Sequence, residues 1–123
     1  MELEILDAAL SICKPARWED WSDAAQGLFF LARTDEELSL VCPSDKVPAD
    51  CLAREDGFRA LRVRGPLDFS LVGVLSSLLC PLAERGISVF AVSTFDTDYI
   101  LVRGERLEET ADALTRTGCR ITG

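Results

Sequence analysis

The sequence predicts an α+β fold of split βαβ order, on three observations in its second half. Arg59-Ala60-Leu61-Arg62-Val63-Arg64-Gly65 alternates polar and apolar residues, as a half-buried strand does. From about Ser70 to Arg85, the residues Leu71, Val74, Leu75, Leu78, Leu79 and Leu82 form an apolar stripe at helical spacing, and Gly86 supplies the left-handed residue that ends a helix. Ile87–Phe95 and Tyr99–Arg103 read as two strands about a short polar turn.

The remaining elements follow in order. Glu105–Thr117 is a second helix, with Leu107, Ala111 and Leu114 inward and Glu105, Glu108 and Glu109 at the positive end of its dipole. Gly118 closes it, and Cys119-Arg120-Ile121 is a last strand. Pro81 removes one backbone hydrogen bond and kinks or tightens the first helix. Residues 59–122 therefore read β-α-β-β-α-β, the ferredoxin-like order.

The first half follows the same order with weaker helices. Leu3 to Ile12 is a first strand stopped by Pro15, because proline cannot donate to a ladder. Arg17–Gln26 is a short, imperfect helix carrying Trp18, Trp21, Ala24 and Ala25. Leu28–Ala32 and Leu38–Cys42 are strands of a hairpin joined by Thr34-Asp35-Glu36-Glu37. Pro43-Ser44-Asp45 opens a short turn or helical turn through Val47 and Pro48, and Cys51–Glu55 adds a short strand. The chain thus reads as a degenerate duplication, residues 1–57 and 58–123, with antiparallel sheets and the helices on one face.

Composition narrows the function classes. Apolar residues make up 48% of the 123, enough for a core, which argues against global disorder. The net charge of −8 leaves no basic patch to offset phosphates, so nucleic acid and anionic membranes are poor partners. The longest uncharged run, Phe69 to Ala83, is shorter than the ~20 residues that span a bilayer. Met1-Glu2-Leu3-Glu4 is acidic and does not open a signal peptide, so a cytoplasmic protein is expected. The five cysteines are scattered and never spaced C-x-x-C, and there is no histidine. That points to small buried residues in a reducing compartment, with disulfides as the alternative, and to neither a metal nor a histidine-based catalytic site.

At Gly86–Arg103 the residues become specific. The strings Ile87-Ser88-Val89-Phe90 and Ser93-Thr94-Phe95-Asp96-Thr97-Asp98-Tyr99-Ile100-Leu101-Val102-Arg103 resemble the ACT domains of the CASTOR-type arginine sensors and, more distantly, aspartate kinase regulatory domains. The likeness extends back through Pro81-Leu82-Ala83 and faintly to Met1-Glu2-Leu3 and the Phe29-Phe30, Thr34 and Glu36 hairpin. It implies two ACT-like units, a degenerate one over 1–57 and an ACT domain over 58–123. It also implies a homodimer and a free amino acid as ligand, arginine-like among the candidates, with no cofactor. In that family the amino acid sits where two units meet. Carried over by position, Ser88 and Val89 match the edge-strand contacts, Leu67-Asp68-Phe69-Ser70 and Gly73 match the strand-to-helix loop, and Asp98 matches the acidic contact.

The residues support such a site on their own chemistry. Asp68 or Ser70 can cap the helix, leaving the N–H groups of Phe69 to Val72, Leu71 included, to receive a carboxylate. Asp96 or Asp98 can accept from an α-ammonium or a cationic side chain. Gly73 lets another backbone or a ligand approach. Asp68 as a plain cap, and Asp96 and Asp98 as ordinary turn residues about Thr97, are the competing readings. Arg59, Arg62 and Arg64 read as the solvated face of a strand. At the level of function, the alternative to a sensor is a ligand-free module that assembles through its edge strands. An enzyme is not expected, since no nucleophile pair or Gly-rich phosphate loop is present.

Overall fold

The structure, a computed structural model, describes residues 1–24, 27–65 and 72–123. In chain order the elements are β1 (Glu2–Ile5), β2 (Leu10–Lys14), α1 (Trp21–Ala24), β3 (Phe30–Arg33), β4 (Leu38–Pro43), β5 (Ala53–Val63), α2 (Val74–Glu84), β6 (Phe90–Ser93), β7 (Asp98–Arg103), α3 (Leu107–Arg116) and β8 (Arg120–Thr122). Single 3₁₀ turns lie at Trp18–Asp20, Ser44–Lys46 and Gly104–Arg106. The chain forms two compact units. The larger joins Met1–Asp7 to Arg59–Gly123, and the smaller is Ala8–Phe58.

In the larger unit the strand order is β6-β7-β5-β1-β8. Leu3, Leu61, Val63, Ile100 and Val102 meet Leu78 and Leu82 of α2 and Ala113 and Leu114 of α3, all buried. Leu61 with Val63, and Ile100 with Val102, are two residues apart, so each pair shares a sheet face. That face therefore carries both helices. α2 ends as the sequence predicts. The Gly86 amide donates to the Ala83 carbonyl at 3.0 Å and the Ile87 amide to the Leu82 carbonyl at 2.9 Å, with Gly86 at φ 69°. These are the two bonds of a Schellman cap. Pro81 stands inside α2 without ending it.

The smaller unit has the order β3-β4-β2-β5, through the first part of β5. Cys13, Leu40 and Cys42 are its buried cluster, with Phe29, Leu31, Val47 and Cys51 packed against them. Its hairpin repeats that of the larger unit at a constant shift of 60 positions. Phe30 pairs with Val41 and Arg33 with Leu38, as Phe90 pairs with Leu101 and Ser93 with Asp98. The 3₁₀ turn at Ser44–Lys46 follows β4 as the one at Gly104–Arg106 follows β7.

Several expectations are corrected. The expected strand from Leu3 to Ile12 is two strands, because alternation lapses at Asp7-Ala8-Ala9 and the pieces pair with different parts of β5. The expected strands Cys51–Glu55 and Arg59–Gly65 are one strand, β5. A bulge makes this continuous: Asp56 and Gly57 together oppose Ser11, and Gly57 takes φ 84°. The sheet is mixed rather than antiparallel, since β1 lies between β5 and β8, antiparallel to the first and parallel to the second. The helix expected from Ser70 begins at Val74, and the strand expected from Ile87 begins at Phe90. All five cysteines are free thiols, but only Cys13 and Cys42 are buried as expected, since Cys80 is exposed and Cys51 and Cys119 are half-buried.

Candidate ligand-binding site

The end of β5 and the β6–β7 hairpin meet in the larger unit. Thr97, 8% exposed, donates its hydroxyl to the Val63 carbonyl at 2.7 Å. Val63 is the last residue of β5, so this bond fixes the hairpin turn to the point where the loop departs. The turn itself closes through the Thr94 amide, which donates to the Thr97 carbonyl at 2.9 Å. Asp96 is exposed in that turn, and Asp98 is the half-buried first residue of β7. The Ser93 hydroxyl donates to Asp98 Oδ1 at 2.7 Å, across a directly paired position. Asp98 is therefore held by the ladder rather than swinging from a turn, and its second oxygen keeps acceptor capacity.

Leu67, Asp68, Phe69, Ser70 and Leu71 lie outside the described residues, and so does the expected cap by Asp68 or Ser70. The described part of the loop alters the helix start. Gly73 is the N-cap of α2 at φ 83°, and no side chain caps the helix there. The amides of Val74, Leu75 and Ser76 are then the first of the helix, in place of Phe69 to Val72. Among the described residues, no heavy atom lies within 4 Å of where a Cβ on Gly73 would stand, so what demands glycine is its positive φ. Ser88 is exposed, and Val89 packs partly against the core. Both precede β6 rather than lying in it.

Arg59, Arg62 and Arg64 are partly exposed, as alternation suggests, but each is tied to β1 or to the residue after it. Arg62 Nη2 lies 2.8 Å and Arg64 Nη1 3.0 Å from Glu4 Oε1 of β1. The bond from Arg62 is the main reason the Glu4 carboxyl titrates below its usual range. Arg59 donates to the Leu6 carbonyl at 3.0 Å. These ties were not legible because they depend on β1 lying beside β5, and no local pattern announces that pairing. The Thr97–Val63 bond was missed for the same reason, although a threonine buried in a polar turn is a usable signal.

Strand order, helix placement and hairpin define an α+β fold of ferredoxin-like order, and the family comparison gives it a name. An ACT domain family model matches residues 53–116, and the chain belongs to the ACT domain family. No curated protein matches the sequence. Among solved structures, protein Atu0741 from Agobacterium tumefaciens is 37% identical over 98% of this chain and 90% of its own, with a TM-score of 0.84. VC0802 from Vibrio cholerae, a protein of unknown function described as a possible transport protein, is 23% identical, with a TM-score of 0.74 over 91% of this chain and 85% of its own. The ligand-free regulatory subunit of aspartate kinase from Thermus thermophilus is 9% identical, with a TM-score of 0.62 over 93% of this chain and 95% of its own. The last two share the fold.

Proposed function

We propose that this chain is a regulatory ACT protein that binds a free amino acid where ACT units of a homodimer meet. The observation that carries the reading is the Thr97–Val63 bond. It sets the acidic hairpin of Asp96 and Asp98 beside the origin of the strand-to-helix loop, within the span of the family match. In this reading the loop residues Leu67, Asp68, Phe69, Ser70 and Leu71, with the helix start after Gly73, receive the ligand carboxylate. Asp98, with Asp96 at the rim, accepts from its cationic nitrogen. Ser88 and Val89 of a second copy close the site. The repeat of the hairpin at a shift of 60 positions supports reading residues 1–57 as a degenerate second ACT-like unit beside the ACT domain at 58–123. Arginine is among the ligands the resemblance suggests, and the cytoplasm is the expected compartment.

One observation favours the assembly reading instead. β6 pairs on one side with β7, and no second partner appears among the described residues. Phe95 at the hairpin tip is 78% exposed. An open edge beside an exposed ring is what an interaction module offers to a partner strand. Calorimetric titration separates the two readings. A sensor gives saturable heat with at least one standard amino acid, weakened about tenfold or more in Asp98→Ala, the loss of one charged hydrogen-bond partner. An assembly module gives no heat with any of them.

A further inference from the structure

We draw no further inference here: the strongest candidate, the thiol cluster of Cys13, Cys42 and Cys51 in the core of the smaller unit, carries none, because no group of three or more metal-ligating side chains among the described residues could hold a metal ion and burial keeps the Cys13 thiol protonated and unreactive.

Discussion

Asp98 shows how a single residue acquires its meaning from its neighbours. Aspartate beside a turn is common for turn reasons alone, yet here Ser93 holds one carboxylate oxygen at 2.7 Å and leaves the other available. Gly73 is a second case. Its φ of 83° is costly for any residue with a Cβ. Gly73→Ala is expected to destabilise the protein by about 1–2 kcal/mol, read as a lower urea midpoint with an unchanged slope. Sequence reasoning placed the helix start at the polar residues Asp68 and Ser70, because side chains that cap are its strongest signal. A glycine that caps through backbone conformation alone gives a weaker one. The thiols offer a further check. Burial, with Cys42 and Cys51 close by, pushes the Cys13 thiol up to about 12. Cys13 and Cys42 are buried, Cys51 and Cys119 half-buried, and Cys80 exposed. A thiol-disulfide reagent near pH 8 should therefore titrate at most three cysteines in the native protein, Cys80 fastest, and all five in guanidinium.

Among the elements, α2 was the most legible. Its stripe of Leu75, Leu78, Leu79 and Leu82 is visible at a glance, and all four reach the core. Leu78→Ala removes a fully buried side chain and is expected to cost about 2–5 kcal/mol in chemical denaturation. Val72, 95% exposed, should change stability by no more than about 0.5 kcal/mol when cut to alanine. Both hairpins were legible for a comparable reason, since strand, polar turn and strand are contiguous. The strands β1 and β5 were not. β1 has four residues, and its insertion between β5 and β8 depends on partners about 60 and 120 positions away in the chain. β5 looked like two strands because Gly57 interrupts the alternation. The bulge opposite Ser11, where the Ser11 hydroxyl reaches Asp56 at 2.5 Å, turns that interruption into a bend within one strand.

For the whole molecule, charge and assembly set the remaining expectations. Hydrogen bonds from Arg62, Arg54 and Arg85 hold the carboxyls of Glu4, Asp56 and Asp112 below their usual range. A carboxylate whose folded pKa is depressed contributes stability above its unfolded pKa, about 4, and loses it as the pH falls through the folded value. The urea midpoint should therefore be flat from about pH 7 to 5 and fall below pH 4, less steeply in Arg62→Met. Light scattering should give twice the 13.5 kDa chain mass, and a species of 13.5 kDa alone would contradict the homodimer. The proposed function requires that this ACT protein bind an amino acid through the Asp98 hairpin. A thermal-denaturation screen at fixed protein concentration, with each standard amino acid at millimolar concentration, tests it most directly. A ligand at roughly a hundred times its Kd stabilises the native state by about 2.7 kcal/mol. Tm is expected to rise by several degrees with at least one amino acid, and by less in Asp98→Ala. A Tm that no amino acid moves, or a rise that Asp98→Ala leaves unchanged, would contradict it.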